Sequence, residues 1–465
     1  MSFASFNLNA NLLKALEAGN FTTPTPVQAQ SIPHAVAGKD VMASAQTGTG
    51  KTAAFVLPAL NKILSGPSPV KNRGPRVLVL TPTRELAQQV LDNVRTLGKF
   101  AQIRTGVIVG GVSYGPQYQL LKNPLDVLVA TPGRLIDHLN EKLVDFSRIE
   151  TVILDEADKM LDMGFLKPVE RILASISGSA PRPQILLFSA TFTPSVDKFA
   201  RQVLHSPVRI ELAPIRNNNT QITQHAYQAD SSEHKLEMLF KLLGETTVGQ
   251  AIIFSATKHG SEKLAKRLTQ QGFASAALHG GMRQNLRKKT LDQLHTGNIR
   301  FLVATDVAAR GIDVKQLSHV FNYDLPQVAE DYVHRIGRTG RAGETGIAIS
   351  LISPSDVPML RDIEKILGKR MELGSLAGHE PRLSNEEFAR QGAAAPRSRK
   401  GMNGGGGGRP QGNRSQGGGN RSGANGGDRG KPSSYGPSKG RSEGRPGGAP
   451  KSFGYSKSRG ASRSR

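Results

Sequence analysis

Two α/β domains in tandem, each a doubly wound, mostly parallel sheet with helices on both sides, are predicted by the sequence. Three observations carry this: short apolar β-branched runs, amphipathic helical stretches between them, and one polar break near the middle after which the pattern restarts. The first half offers runs at Asp40–Ala43, Val77–Leu80, Val107–Val109, Val127–Val129, Val152–Leu154 and Ile185–Phe188. Turn residues follow each, and most lead into a helical pattern. From Thr83 to Leu97, for instance, Leu86, Val90, Val94 and Leu97 fall on one face. The run from Ala213 to Thr220 breaks the alternation and reads as an interdomain connection. A second series then begins, at Ala251–Phe254, Ala276–Leu278, Phe301–Ala304, His319–Phe321 and Gly346–Ile349. The expected organisation is a domain over 1–212, a linker over 213–222 and a second domain over 223–380. A disordered basic tail over 381–465 is expected to follow.

Charge limits the partners more than the fold. Among 465 residues, 61 Lys and Arg face 37 acids, a formal charge of +24, so polyanions are the natural partners. From Gln391 to Arg465 there are 16 basic residues against Asp428 and Glu443, a net of +14, which leaves +10 for the preceding 390 residues. That segment also holds 22 of the 51 glycines and almost no aliphatic residues, too little apolar surface to offset the entropy of ordering. It could be a plain solubilising linker. Its Arg-Gly, Arg-Ser and Lys-Ser steps, with Tyr435, Phe453 and Tyr455 among them, favour a nucleic-acid-binding tail. With no cysteine, a disulfide framework and any Cys-containing zinc site are excluded. His34, His138 and His205 show no paired ligand spacing and read as structural or surface residues. The segment Met1–Asn7 lacks a secretory signal pattern, and no apolar stretch of roughly 18 residues exists. A soluble, cytoplasmic protein with no membrane partner is expected.

The chemistry begins at Ala45-Gln46-Thr47-Gly48-Thr49-Gly50-Lys51-Thr52, which follows a predicted strand and opens a predicted helix. This is the P-loop arrangement. Its glycines let backbone amides approach phosphate oxygens, Lys51 brings a point charge to the terminal phosphates, and Thr52 offers a hydroxyl to Mg²⁺. A P-loop needs an acid at the end of a neighbouring strand, and Val152-Ile153-Leu154-Asp155-Glu156-Ala157-Asp158 provides one. Asp155 is placed to hold Mg²⁺, and Glu156 to orient and deprotonate an attacking water.

The residues Asp155-Glu156-Ala157-Asp158 spell the signature of the DEAD-box RNA helicases, and the chain resembles that family in register from Phe3 to Leu367. It is most similar to the bacterial RhlE group. The resemblance implies two RecA-like domains, ATP and Mg²⁺ as cofactors, and RNA as the partner, with ribosomal or RNA-decay assemblies as further candidates. It implies that Phe21 to Gln28 reads adenine through Gln28, with Phe3 stacked on the base. Asn20 stands where the family usually has Gly.

Pro82-Thr83-Arg84, Gly110-Gly111 and Thr131-Pro132-Gly133-Arg134 resemble motifs that grip the RNA sugar-phosphate backbone, and Thr305 is matched to a further RNA contact. Singly, each is also an ordinary capped helix start. None is an aromatic platform, so sequence-independent binding is expected. By the same resemblance Gly311 and Asp313 belong to the nucleotide site, with Asp313 facing the ribose, while Arg338 and Arg341 reach the γ-phosphate from the second domain. Asp158, Ser189, Thr191 and His334 are matched to the coupling of hydrolysis with strand separation. Two positions depart from the pattern: Ala256 replaces a common Arg or Asn, and Arg283 a small polar residue. An RNA-binding clamp without turnover and a DNA helicase are the alternative functions. Intact Lys51, Glu156, Arg338 and Arg341 speak against the first, and ATPase stimulation by RNA against DNA separates the second.

Overall fold

The structure, a computed structural model, describes residues 2–45, 48–68, 70, 73–176, 182–212, 222–245, 247–309, 317–340 and 345–394. Seven strands form the first sheet: β1 Val41–Ser44, β2 Val77–Leu80, β3 Thr105–Ile108, β4 Val127–Ala130, β5 Thr151–Leu154, β6 Gln184–Ser189 and β7 Val208–Glu211. Seven more form the second: β8 Ile222–Gln228, β9 Ala251–Phe254, β10 Ser275–Leu278, β11 Phe301–Ala304, β12 His319–Asn322, β13 Gly346–Ile352 and β14 Leu373–Gly374. The orders are β3-β4-β2-β5-β6-β1-β7 and β10-β11-β9-β12-β13-β8-β14. Every pairing between these strands is parallel.

Continuous apolar runs form these strands because helices cover both faces of each sheet. In the first, Val41, Val77, Val79, Val127, Val129, Ile153 and Leu186 feed one core. Their neighbours Met42, Leu78, Leu80, Leu128, Val152, Leu154 and Leu187 feed the other, as period-two alternation requires. The helix Arg84–Leu97 is capped by Thr83, whose hydroxyl accepts the Leu86 N–H, and buries Leu86, Ala87, Val90, Leu91, Val94 and Leu97. The second sheet repeats the arrangement around Ile252, Leu302 and Val320 on one side and Ile253, Val303 and Phe321 on the other.

The expected tail boundary is corrected. Residues 381–394 are ordered: a helix spans Asn385–Ala394, and Phe388 on it is 4% exposed, packed with Val357, Leu360 and Ile363 in the second domain's core. Ser384 and Glu387 cap each other reciprocally at its start, and burial of the Phe388 ring adds to what anchors the segment. β8 opens at Ile222, within the span expected as linker. Residues 213–221 and 395–465 lie outside the described residues. No helix among the described residues is long and apolar enough to cross a membrane.

Candidate functional site

Parallel α/β sheets place ligands outside the carboxyl ends of their strands, and the sequence motifs lie at those ends. β1 runs into Ala45, and Gly50 precedes the helix Lys51–Leu64. Gly50 has φ +90°, and a Cβ there would lie 2.4 Å from Gln28 Nε2. That tight fit has a purpose. Gln28 Nε2 donates to the Gly50 carbonyl at 3.1 Å, while its Oε1 accepts the Thr25 N–H at 2.9 Å, so Gln28 ties its own helix start to the loop. Lys51 is 7% exposed, and its ammonium donates to the Ala45 carbonyl at 2.6 Å and the Ser189 carbonyl at 3.4 Å. Thr52 is half-buried in the first helical turn, with Gly48 and Thr49 just upstream. Gln46 and Thr47 fall outside the described residues.

β5 delivers Asp155 and Glu156 beside this loop. Asp155 is buried, and burial together with the neighbouring Glu156 charge pushes its carboxyl up to about 7, against the pull of Lys51. Glu156 adopts φ +52°, a left-handed conformation costing a non-glycine residue on the order of 1 kcal/mol or more. Its Oε2 is buried with no hydrogen-bond partner. A buried carboxyl in need of positive charge, an orphaned carboxylate oxygen and a nearby hydroxyl make an all-oxygen donor set. Such a set fits Mg²⁺ bound through one or two protein ligands and substrate phosphates.

Asp158 faces the segment after β6. Its Oδ2 accepts the Ala190 and Thr191 N–H groups, both at 3.2 Å, and its backbone N–H donates to Ser189 Oγ at 3.3 Å. Ser189 Oγ in turn donates to the Thr191 carbonyl at 2.8 Å. Two distant sequence motifs are thus one hydrogen-bonded unit.

The expected RNA contacts also converge. The Arg84 guanidinium lies against Gly111, where a Cβ would stand 2.0 Å from Nη1, and Gly110 flanks it. Arg134 donates to the Val112 carbonyl at 2.9 Å and stacks 3.9 Å from the Tyr114 ring centre. Pro82, Thr83, Thr131, Pro132 and Gly133 complete the ends of β2 and β4. Tyr114, 38% exposed, is an aromatic group that the sequence reading passed over; its position three residues after Gly111 was the available signal.

The second domain brings Thr305, buried at the end of β11, and the helix Glu330–Ile336. His334 is half-buried, and desolvation followed by the Lys159 charge holds it down to about 4. A small space of about 10 Å³ is lined by His334, Arg338, Asp331, Arg335, Asp306 and Phe254. Arg335 donates to both Asp306 carboxylate oxygens, at 2.6 and 2.8 Å, and braces this helix. Gly311, Asp313 and Arg341 lie outside the described residues. At the departing position, the Ala256 backbone N–H donates to Asp324 at 2.8 Å. Arg283 immediately precedes the helix Gln284–His295 and is exposed.

Contacts across the two halves were not legible in the sequence. Arg287 donates to Glu85 at 2.9 Å, Arg84 to Gln284 at 3.1 Å, and Lys159 to Asp331 at 2.8 Å. No group of three or more His, Cys, Asp or Glu side chains suited to a metal ion occurs among the described residues.

Comparison with known proteins identifies the family and matches the fold. A DEAD/DEAH box helicase family model matches residues 25–199, and a helicase conserved C-terminal domain model matches 234–343. The ATP-dependent RNA helicase SrmB of Haemophilus influenzae is 43% identical over 382 residues, covering 82% of this chain and 86% of that protein. SrmB of Escherichia coli is 42% identical over 367 residues, covering 79% and 82%. Among solved structures, S. cerevisiae Dbp5 bound to RNA and ADP BeF3 superposes with a TM-score of 0.71 at 33% identity, covering 82% of this chain and 95% of that one.

Proposed function

The chain belongs to the DEAD-box family of ATP-dependent RNA helicases, and on that premise we propose how its own residues divide the work. It remodels RNA duplexes and RNA–protein complexes with RNA-stimulated ATP hydrolysis. The observation that carries the assignment of roles is the position of the Asp155–Lys159 segment. On one side it faces the Lys51 loop; on the other, through Lys159, it meets the second-domain helix that leads to Arg338.

In this reading Gln28 recognises adenine and also senses the loop through Gly50. Phe3, assigned to base stacking, is 5% exposed with its ring edge-on to Phe6 at 6.0 Å, so stacking there requires the Phe3–Phe6 turn to shift. Backbone amides around Gly48 to Gly50 and the Lys51 ammonium bind the phosphates. Asp155 and Thr52 would hold Mg²⁺, which when bound neutralises charge on the terminal phosphates. Glu156 takes a proton from water as the water oxygen bonds to the γ-phosphorus. The bond to the β–γ bridging oxygen breaks, and its electron pair leaves with ADP. Arg338, joined by Arg341, balances negative charge on the phosphoryl oxygens in transit.

Arg84, Gly110, Gly111, Arg134 and Thr305 hold the sugar-phosphate backbone, and the Asp158–Ser189–Thr191 unit with His334 relays the state of the nucleotide site. Asp313 is assigned to the ribose and Gly311 to the nucleotide site. A cytoplasmic location, a place near the RhlE group, a charged tethering tail, and service to ribosomal or RNA-decay assemblies belong to the same reading.

The test is ATP turnover with RNA and with DNA of equal length and sequence. RNA should stimulate hydrolysis strongly and DNA weakly. Equal stimulation would make the nucleic-acid preference wrong.

A further inference from the structure

Lys159 directly follows the Asp155–Asp158 segment and lies in the helix Ala157–Asp162. Its ammonium meets the Asp331 carboxylate at 2.8 Å, with the two side chains 8% and 9% exposed. A second carboxylate, Asp162, stands at 3.6 Å but is 55% exposed. Asp331 sits near the start of the helix Glu330–Ile336, three residues before His334 on the same face; Arg338 follows two residues after the helix ends and lines the same small space as both. The neighbouring space, about 10 Å³, has room for roughly one water at most. The pair therefore joins the acid-bearing segment of one domain to the arginine-bearing segment of the other, in a nearly dry setting.

We propose that Lys159 and Asp331 are positioning residues, a latch that sets the register between the two domains and so places Arg338 for hydrolysis. The latch rests on the helicase reading above. A dry ion pair adds little net affinity, because desolvation offsets attraction, but it tolerates little misplacement. Removing one partner takes from the other buried charge its counterion at 2.8 Å, whereas removing both leaves neither charge to be compensated. When the domains separate, both charges return to water, so the pair holds only the joined arrangement.

A double-mutant cycle on the full-length protein tests the latch, using Lys159→Met, Asp331→Asn and the double variant. Each single change should lower RNA-stimulated kcat by roughly 2- to 100-fold, the range over which contacting residues couple. The KM for ATP and the melting temperature should stay near wild type. The double variant should be faster than the slower single one. Effects that multiply in the double variant, or a KM that rises in proportion, would overturn the proposal. If a single variant proves unstable, Lys159→Arg decides: it keeps the charge and must retain most of the rate, or the latch is wrong. A wild-type protein with no RNA-stimulated turnover would instead sink the helicase reading itself.

Discussion

Asp158 and Thr191 meet twice: the carboxylate Oδ2 accepts the Thr191 backbone N–H at 3.2 Å and its hydroxyl at 3.3 Å. The same oxygen also takes the Ala190 N–H, so one carboxylate organises the turn after β6. Asp158→Asn replaces an acceptor by a group that can turn a donor toward those N–H groups. Strand separation per ATP hydrolysed should fall, while RNA-stimulated hydrolysis is affected less. Parallel unwinding and ATPase assays measure this, and an equal loss in both would remove the coupling role.

Glu156→Gln keeps the shape of the side chain and removes the base. Hydrolysis should fall by roughly 10²–10⁴-fold, the usual worth of a general base. ATP-dependent RNA binding should persist or tighten. Turnover near the wild-type rate would show that another group takes the proton.

Arg338→Ala should leave ATP binding to the first domain largely intact, since Lys51 and Gln28 are untouched. RNA-stimulated hydrolysis should collapse by as much as roughly 10³–10⁵, the worth of an arginine finger. Affinity lost in the same proportion as rate would point to a ground-state binding role instead.

His334 imposes a pH dependence on stability. Its folded value of about 4 lies below the ordinary 6.5, so between these values the unfolded chain holds a proton that the folded chain lacks. Its contribution is complete above pH 6.5 and is lost as pH falls through 4, a swing of roughly 3 kcal/mol at most. Lys159, Asp158, Asp331 and Arg338 face it, so the comparison must be internal. Urea unfolding of wild type and His334→Gln should give a stability difference that grows with pH from 4 to 6.5. A difference flat across that window would mean that His334 is not held neutral.

The tail carries +14 after Ala394, and deletion of 395–465 leaves the Phe388 helix whole. Each phosphate neutralised on a single strand contributes about 0.7 to the slope of log affinity against log salt. If a third of the tail's charge engages RNA, deletion should reduce the slope by roughly 3. Maximal ATPase at saturating RNA should stay near normal. Parallel slopes for the two proteins at three salt concentrations would leave the tail a solubiliser.

Local pattern by itself determined much of this protein. Runs such as Val77–Leu80 and Val127–Ala130 read as buried strands because both their faces pack under helices, and the Lys51 and Asp155 motifs are contiguous in sequence. The edges escaped that reading. β7, Val-Arg-Ile-Glu, and β8, Ile-Thr-Gln-His-Ala-Tyr-Gln, alternate buried with exposed residues, as strands near a solvated margin do, and so lack a continuous apolar run. The Ser384–Glu387 capping box was present to be read, but the Gly- and Arg-rich composition beyond it masked the helix. Only the tertiary structure decided what joins the two halves. Lys159 and Asp331 lie 172 positions apart, and Glu85 and Arg287 lie 202 apart. Each is an ordinary charged residue in its own segment, and becomes a buried partner only when two separately folded sheets bring their strand ends together. No local periodicity encodes that meeting, because its energy depends on desolvation that neither segment undergoes alone.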